Sequence, residues 1–256
     1  MFICIAGKNQ CSIDAIKILT KHEVAKKNIY ILPNSNDKGQ DGWQPSLKNY
    51  ALKNKLNIVS INELYKIKEL IFFSLEYEKI INVDKFISKE LFNYHFSLLP
   101  RYRGCHTNFL QIYNGEKYSG VTLHKINKGI DSGGIIDRKR FKIKLNDTGY
   151  DNYLRLMDCS AQLFKKNLTH ILNSNYIEKK QILSKGKYYK RDSVNYKKII
   201  KLNMKRPSLK LHNKIRALIF PPYQMPIVNG IKVKKSIYKN NKIYLIEYFP
   251  NKFNNK

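Results

Sequence analysis

Short apolar runs separated by amphipathic segments organise the N-terminal part of the chain. Four of these runs have the length and composition of buried strands and occupy residues 2–6, 29–32, 58–60 and 70–75. Between them, apolar residues recur at helical spacing, which predicts helices over 13–22, 46–56 and 62–67, the first of them capped by Ser12. Strands that alternate with helices in this way form parallel sheets covered by helices. The pattern therefore predicts an α/β fold with a Rossmann-like, mostly parallel sheet.

The rest of the chain contains further predicted strands and a long helix, and its last part consists of short segments. Strands are predicted at residues 92–98, 118–125 and 135–143, and a long amphipathic helix at 150–172. After about residue 183 the segments are short and interrupted by prolines, with β-like runs around Asn229-Gly230 and residues 239–241. We therefore predict a large domain over residues 1–183 and a small C-terminal subdomain over 184–256 that contains at least one hairpin.

Several functional signatures are missing from the sequence. The turn after the first strand, Gly7-Lys8-Asn9-Gln10-Cys11, does not match the G-x-G-x-x-G fingerprint of dinucleotide binding, and no Walker A loop occurs. No apolar run approaches the roughly 20 residues that span a bilayer, and residues 1–7 lack the basic leader of a signal peptide. The four cysteines form no C-x-x-C pair and no metal-ligand spacing with histidine. We expect a reduced, cytoplasmic protein that needs neither a metal nor a membrane.

The charge of the chain is strongly positive, with 48 Lys and Arg against 19 Asp and Glu and a formal net charge of +29. Such an excess is typical of proteins that bind nucleic acid, an anionic membrane or a phosphorylated ligand. However, only eight of the basic residues are arginines, the type that base and phosphate readers favour. A lysine excess beside abundant Asn, Ile and Tyr is also typical of an AT-rich genome. The charge is nevertheless concentrated, because residues 185–256 contain 19 basic and two acidic residues.

Polar side chains follow one face of the fifth predicted strand. Asn93 and His95 are two residues apart, Ser97 continues the same face, and Pro100 ends the strand. Open α/β sheets build their sites where strands end, so this face is a candidate site. A half-buried edge strand with a solvated histidine fits the same pattern.

A second candidate is the turn at residues 129–134, in which three glycines surround Asp131. Glycines let the backbone approach a ligand closely, and an aspartate there can orient a histidine and stabilise its protonated form. An ordinary turn between strands fits equally well. Cys105 beside His106 suggests a thiol nucleophile, although a structural role is more common for such a pair.

Five motifs occur in order between residues 93 and 136: Asn93-x-His95-x-Ser97-Leu98-Leu99-Pro100, Arg103-Gly104, Asn114-Gly115-Glu116, Ser119-Gly120-Val121-Thr122-Leu123-His124 and Asp131-Ser132-Gly133-Gly134-Ile135-Ile136. Their sequence and spacing resemble the catalytic core of the folate-dependent formyltransferases. That family includes methionyl-tRNA formyltransferase, glycinamide ribonucleotide formyltransferase and the sugar N-formyltransferases. The strand and helix pattern before residue 93 agrees with the family's fold.

The resemblance implies an enzyme that moves a formyl group from N10-formyltetrahydrofolate, as co-substrate, to an amine without a metal. The family's catalytic residues fall on Asn93, His95 and Asp131. The amide N–H of Asn93 can stabilise the tetrahedral oxyanion, His95 can transfer a proton, and Asp131 can orient its ring or relay a proton through water. By the same resemblance, the folate lies in a slot made by residues 74–80 and 126–131. The expected folate contacts are Ser74, Leu75, Tyr77, Ile80, Ile126 and Ile130.

Three branches of the family differ in the amine that they formylate. The segment after Ser184 looks too fragmentary for the tRNA-binding barrel of methionyl-tRNA formyltransferase. The turn at residues 7–12 departs from the phosphate loop of glycinamide ribonucleotide formyltransferase. Residues 36–47, 104–108 and 215–224 instead resemble sugar N-formyltransferases that act on dTDP-linked amino sugars.

Substrate contacts are expected from aromatic and basic side chains in these segments. Aromatic rings can stack on a base or close over the sugar, and cations can hold a diphosphate. The candidates are Trp43, Gln44, Arg103, His106, Lys190, Arg191, Arg206, Arg216, Phe220 and Tyr223.

The resemblance thus predicts formylation of a dTDP-linked amino-dideoxyhexose, with dTDP-4-amino-4,6-dideoxyglucose as the expected form and C3 against C4 left open. The product would feed O-antigen, lipopolysaccharide or capsule synthesis, and the C-terminal subdomain would bind the nucleotide and pair two subunits into a homodimer. Nucleic acid is not expected as a partner. Two alternatives stay open: an enzyme like methionyl-tRNA formyltransferase, and a non-catalytic homologue that binds a nucleotide sugar or folate.

Overall fold

A computed structural model describes residues 1–248 of the chain. Its strands are β1 Phe2–Gly7, β2 Ile29–Pro33, β3 Asn57–Ile58, β4 Leu70–Leu75, β5 Glu90–His95, β6 Arg103–Gly104, β7 Tyr118–Lys125, β8 Ile135–Lys142, β9 Tyr188–Tyr189, β10 Lys201–Leu202, β11 Ile227–Val228, β12 Ile231–Lys239 and β13 Lys242–Glu247. Its α-helices are α1 Asn9–Lys21, α2 Leu47–Lys53, α3 Ile61–Tyr65, α4 Thr107–Tyr113, α5 Gly149–Leu172, α6 Tyr196–Ile199 and α7 Leu209–Leu218. No helix within these residues combines the length and the apolar content needed to cross a membrane.

The chain divides into two units. Unit 1 comprises Met1–Gly104, Gly120–Arg140 and Leu156–Tyr188. Unit 2 comprises Cys105–Ser119, Phe141–Arg155 and the chain from Tyr189 onward. The functional division between residues 1–183 and 184–256 stays a prediction. Residues 249–256 of the predicted C-terminal subdomain lie outside the described residues.

One sheet runs through the structure in the strand order β3-β2-β1-β4-β5-β7-β8. The pairs from β3 to β5 are parallel, and β7 runs antiparallel to β5. This confirms the predicted Rossmann-like, mostly parallel α/β fold. The strand order reverses between β1 and β4, because the chain first proceeds outward to β3 and then returns to the other side of β1. In open α/β sheets, ligands bind at the carboxyl ends of the strands near such a point.

Aromatic side chains of β4 and β5 form the centre of the core in unit 1. Phe73 stacks on Phe92 with ring centroids 5.6 Å apart and meets the edge of Phe164 at 4.9 Å. Tyr94 lies 5.5 Å from the same Phe164 ring. Each such aromatic pair adds about 0.5–1.5 kcal/mol to the free energy gained by burial. Because side chains alternate along a strand, burying Phe92 and Tyr94 turns Asn93 to the opposite face.

Helix α1 begins at Asn9, four residues before the predicted start, so the prediction that Ser12 caps it is wrong. Ser12 is buried inside the helix, and its hydroxyl donates to the carbonyl oxygen of Leu75 at 3.3 Å. The early start follows from the turn at Gly7, whose φ is +155°. A Cβ atom there would lie 1.9 Å from the carbonyl oxygen of Leu75. A tertiary contact between β1 and β4 therefore decides where the helix begins.

Strand β5 ends at His95, and Ser97 does not continue the face of Asn93 as predicted. The N–H of Ser97 donates to the carbonyl oxygen of His95 at 2.8 Å, which turns the chain away from the sheet. The hydroxyl of Ser97 donates to the carbonyl oxygen of Arg101 at 2.7 Å. Ser97 thus stabilises the loop after the strand.

Unit 2 contains a small sheet with the strand order β10-β11-β12-β13. Its core includes Ile215, Val228 and Val233. Strands β12 and β13 form the expected hairpin, which turns through Asn240 and Asn241 with φ of 50° and 57°. Asparagine tolerates this left-handed conformation better than most other residues.

Helices α4 and α7 were not predicted from the sequence. Helix α4 is only seven residues long. The buried face of α7 carries His212, Asn213 and Arg216 beside apolar residues, so hydrophobic periodicity did not reveal it. The capping Ser208, whose side chain accepts the N–H of Leu211, was the usable signal.

Candidate active site

Three neighbouring strands bring a row of polar side chains to one edge of the sheet. In the sheet register, Asn93 of β5 is paired with Ser74 of β4 on one side and with His124 of β7 on the other. His95 follows at the end of β5 and is paired with Thr122. Pairing across strands thus joins residues that are distant in the sequence.

Asp131 reaches this row from the turn between β7 and β8. Its φ of +49° lies in the left-handed region, which is strained for a residue with a side chain. The amide of Gln181 holds this backbone by donating to the carbonyl oxygens of Asp131 at 3.0 Å and Gly133 at 2.7 Å. Gly133 itself leaves no room for a side chain, because a Cβ atom would lie 1.9 Å from the carbonyl oxygen of Lys125.

The structure brings the three predicted catalytic residues together. Nδ1 of His95 lies 3.4 Å from Oδ2 of Asp131, and the amide nitrogen of Asn93 donates to Oδ1 of Asp131 at 3.3 Å. The main-chain N–H of Gly104 donates to Oδ2 of Asp131 at 2.7 Å. The side chains of His95 and Asp131 are 9% and 11% exposed, so their interaction is only weakly screened by solvent.

The Asp131 carboxyl group is ionised at neutral pH. Burial alone would raise its pKa, but the neighbouring His95 ring and the Gly104 main-chain N–H outweigh burial and hold the pKa well below its usual range. The site therefore contains a permanent negative charge beside two imidazole rings.

The hydrogen bonds of His95 define which nitrogen carries a proton. Nε2 lies 2.7 Å from the carbonyl oxygen of Tyr102, and a carbonyl can only accept, so Nε2 donates. In a neutral ring, Nδ1 would then direct a lone pair at the Asp131 carboxylate. An imidazolium has a donor on each nitrogen and would donate to the Tyr102 carbonyl and to the Asp131 carboxylate together.

His124 is a site residue that sequence reasoning did not single out. Its Nε2 atom lies 3.1 Å from the amide nitrogen of Asn93, and its Nδ1 atom lies 2.7 Å from the carbonyl oxygen of Lys125. The alternation of residues 118–125 placed His124 on one face of a strand, but only the antiparallel register places it beside Asn93. Sequence reasoning also missed the contacts that Gln181 and Gly104 make with Asp131 and that the Tyr102 carbonyl makes with His95. These contacts depend on how the folded chain passes around the site.

Comparison with known proteins agrees with this geometry. A family profile described as formyl transferase matches residues 68–168. A solved N-formyltransferase from Helicobacter canadensis is 43% identical to this chain, with a TM-score of 0.88 over 94% of this chain and 89% of that one. This chain belongs to the formyltransferase family. The solved sugar 3N-formyltransferase WlaRD is 45% identical, with a TM-score of 0.89 over 94% of this chain and 87% of its own. The predicted relation to the sugar N-formyltransferases is confirmed.

Curated relatives of the formyltransferase are more distant. The bifunctional polymyxin resistance protein ArnA of Wigglesworthia glossinidia brevipalpis is 34% identical over 69% of this chain, which spans 28% of its length. A methionyl-tRNA formyltransferase of Clostridium tetani is 27% identical over 91% of this chain and 78% of its own length. Similarity thus extends to two branches of the family.

Of the residues expected to hold the folate, Ser74 lies beside the polar row of the formyltransferase. Ser74 is next to Asn93, and the carbonyl oxygen of Leu75 accepts the hydroxyl of Ser12. Tyr77 and Ile126 pack, partly buried, against one core cluster of unit 1. The side chain of Ile80 is 75% exposed, and Ile130 is also exposed. The role of these residues in binding the folate stays a prediction.

Three expected substrate contacts of the formyltransferase lie in unit 1. The side chain of Gln44 accepts the N–H of Gln10 at 3.2 Å and donates to the sulfur of Met157 at 3.3 Å, so it is already engaged. Trp43 is exposed. Arg103 donates its main-chain N–H to Lys187, and its Nε atom is buried without a partner.

Other expected contacts lie in unit 2. Nε2 of His106 donates to the carbonyl oxygen of Arg191 at 2.7 Å, and Nδ1 lies 3.2 Å from the Tyr196 hydroxyl. His106 thus fixes the path of the chain at Arg191. Lys190, Arg191 and Arg206 are exposed and remain candidates for a diphosphate.

Arg216 and Phe220 are buried, so little of either side chain is open to a ligand, and their contact with a nucleotide stays a prediction. Arg216 is 3% exposed and donates to the carbonyl oxygen of Asp147 at 2.6 Å and to Asn213 at 2.9 Å. Burial lowers the pKa of its guanidinium to about 10, although Asp147 opposes this shift. Phe220 is 8% exposed, and its ring stacks on that of Tyr223 at 5.3 Å. Tyr223, at 68% exposure, presents the outer ring of this stack.

No group of three or more His, Cys, Asp or Glu side chains in residues 1–248 could hold a metal ion. Cys105 is partly exposed, while Cys4, Cys11 and Cys159 are buried. Burial raises the pKa values of the Cys4 and Cys11 thiols, so these two groups are poor nucleophiles.

Proposed function

We propose that this formyltransferase moves a formyl group from N10-formyltetrahydrofolate to the amino group of a dTDP-linked amino-dideoxyhexose. The observation that carries the proposal is its 43% and 45% identity, over 94% of the chain, to two solved formyltransferases. One of these was solved in complex with folinic acid and dTDP-3-aminofucose. The other was solved in the presence of dTDP and 5-N-formyl-tetrahydrofolate.

The same relatives favour an amine at C3 of the sugar. The enzyme from Helicobacter canadensis was solved with a 3-amino sugar, and WlaRD is a sugar 3N-formyltransferase. We therefore place a dTDP-3-amino-dideoxyhexose first among substrates. The expected dTDP-4-amino-4,6-dideoxyglucose stays a prediction and is the second arm of the test.

The geometry supplies the groups that this chemistry needs. Attack of the amine on the formyl carbon creates a negative oxygen and a positive nitrogen, and one proton then passes from the amine to N10 of the departing folate. One N–H of Asn93 can donate to the oxygen. His95, oriented by Asp131, can give a proton to N10 and recover one from the amine.

We propose that Ser74, Ile80 and Ile130 of unit 1 form the site for the folate. Ile80 and Ile130 can cover the faces of the pteridine, and Ser74 offers a hydroxyl next to Asn93. A folate held next to Ser74 would bring its formyl group near Asn93. Tyr77 and Ile126 support the site from the core.

The test is a direct assay with N10-formyltetrahydrofolate and a panel of nucleotide amino sugars. The panel contains 3-amino and 4-amino dideoxyhexoses, each on dTDP and on UDP, and the product is identified by mass. We expect formylation of a dTDP sugar and none by the His95→Asn variant. Equal product from the variant would remove His95 from the reaction, and binding without product would favour the non-catalytic homologue.

Methionyl-tRNA is the second candidate substrate, because methionyl-tRNA formyltransferases are relatives over 91% of the chain. The assay therefore includes charged initiator tRNA. Its binding would weaken steeply with salt because bound phosphates release counterions. Product from the tRNA alone would overturn the sugar assignment.

Further features belong to the same proposal. We expect a homodimer paired through the hairpin of β12 and β13, a cytoplasmic location, and a product used for O-antigen, lipopolysaccharide or capsule synthesis. Sedimentation of the full chain tests the dimer, with substitution of the exposed Tyr244 in the hairpin as the probe.

A further inference from the structure

Asn93 donates both hydrogens of its side-chain amide within the site. One is directed at Nε2 of His124, 3.1 Å away, and the other at Oδ1 of Asp131, 3.3 Å away. Nε2 of His124 is itself 3.6 Å from Oδ1 of Asp131, so the amide lies between two acceptors. If the amide were turned over, its oxygen would face the carboxylate, which is unfavourable.

The tautomer of His124 is determined by its neighbours. Its Nδ1 atom lies 2.7 Å from the carbonyl oxygen of Lys125, which can only accept, so Nδ1 carries the hydrogen. In the neutral ring, Nε2 then carries a lone pair, which can accept the hydrogen bond from the N–H of Asn93. The ring is 2% exposed, so water does not compete for either nitrogen.

Lys125 is held in place by contacts on both its backbone and its side chain. Its N–H donates to the carbonyl oxygen of Gly134 at 2.9 Å. Its ammonium donates to the Tyr176 hydroxyl at 2.9 Å and lies 4.5 Å from the centre of the Phe92 ring. The Tyr176 hydroxyl donates in turn to Glu90 at 2.6 Å. The carbonyl that sets the His124 tautomer is therefore fixed.

From these contacts we propose that His124 is a positioning residue for formyl transfer. Its Nε2 atom accepts one N–H of Asn93 and keeps the amide in one orientation. The second N–H, shared with Asp131, is thereby aimed so that it can turn to the developing oxyanion. This inference rests on the proposed function, since it concerns the same reaction, and it adds a residue outside the Asn93, His95 and Asp131 set.

The kinetic test compares His124→Leu with His124→Gln. Leucine fills the space without an acceptor, whereas the glutamine side chain can place an oxygen near the position of Nε2. For His124→Leu, we expect kcat to fall about 10- to 100-fold with both KM values within about twofold, because one oriented donor is lost. For His124→Gln, we expect recovery of most of the turnover. The control, His170→Leu, changes an exposed histidine of α5 and should leave kcat unchanged.

An independent test needs no activity. Nitrogen-15 NMR of the histidine rings in the full chain at pH 7.5 should show His124 neutral, with hydrogen on Nδ1 and a bare Nε2. In His124→Gln, the side-chain amide signals of Asn93 should stay close to those of the unaltered protein, and in His124→Leu they should move.

The outcomes separate the two proposals. Wild-type turnover in His124→Leu, or an equal loss of kcat in both variants, would overturn the positioning role. So would a His124 ring protonated at Nε2. If the unaltered protein formylates no amino sugar, the proposed function fails, while the NMR tautomer still decides whether His124 holds Asn93.

Discussion

The side-chain amide of Gln181 donates to the carbonyl oxygen of Asp131 at 3.0 Å, and so ties the turn that contains Asp131 to a distant part of the chain. The same nitrogen donates to Gly133 at 2.7 Å. Replacement by methionine keeps the length of the side chain but leaves both carbonyls without this donor.

For Gln181→Met we expect a loss of about 1–3 kcal/mol in the free energy of unfolding, the usual cost of buried groups left without partners. Turnover should fall with it, since Asp131 is in a strained left-handed conformation. Urea unfolding and steady-state kinetics measure the two effects. The control is Gln162→Met on the exposed side of α5, and equal effects at both positions would contradict this role.

Asp131→Asn should remove the negative charge that lies beside Nδ1 of His95. We expect kcat to fall about 10²- to 10⁴-fold, the range for loss of a positioned acid or base, with nucleotide-sugar affinity nearly intact. Affinity is measured by calorimetry and turnover by product mass. Full activity of the variant would show that His95 works without the carboxylate.

The same variant makes a prediction for stability against pH. The pKa of Asp131 is lower in the folded chain than its unfolded value of about 3.9, so its carboxylate stabilises the fold at neutral pH. That contribution is present above about pH 4 and is lost as the pH falls towards the lower folded pKa. The stability gap between the protein and Asp131→Asn should therefore narrow only in acid, as measured by urea midpoints.

His212 should make unit 2 sensitive to mild acid. Burial lowers its pKa, and the nearby Arg216 adds to this, although the hydrogen bond to the Leu145 carbonyl opposes it. The unfolded chain then binds a proton more readily, so stability is full above the unfolded pKa of about 6.5 and declines below it. Between pH 7.5 and 5.5, His212→Gln should lose less stability than the unaltered protein. An equal loss of stability in the variant and the unaltered protein would show that groups other than His212 cause the pH dependence.

Gly133→Ala should be strongly destabilising, because the new Cβ atom would lie 1.9 Å from the carbonyl oxygen of Lys125. Backbone atoms must shift to relieve such a clash, and we expect more than about 2 kcal/mol of lost stability. Gly42→Ala is the matched control, since nothing lies within 4 Å of its added carbon. Thermal melting measures both, and a stable Gly133→Ala would mean that the turn adjusts easily.

Tyr223→Ala tests the nucleotide contact in unit 2. An exposed ring stacked on Phe220 is a platform for a base, and stacking is worth about 1–3 kcal/mol by alanine substitution. We expect weaker dTDP binding by calorimetry and little change for Tyr244→Ala in the hairpin. Unchanged affinity would place the base elsewhere.

Elements with strong local signals were predictable. Strands β4 and β7 have the bounds that periodicity predicted, because each is an apolar or alternating run ended by a turn. The start of α1 and the end of β5 were not, since a backbone contact at Gly7 and the hydrogen bonds of Ser97 decide them. Local secondary-structure propensity does not predict such tertiary contacts.

The sequence by itself determined the α/β fold, the family and the residues Asn93, His95 and Asp131, because their signals are periodic or confined to short motifs. Only the tertiary structure decided that His124 contacts Asn93 and that Gln181 contacts Asp131, since register and loop closure determine which distant groups meet. Burial is likewise a property of the whole packing. A lone arginine or phenylalanine in a sequence therefore does not reveal that Arg216 and Phe220 face the interior.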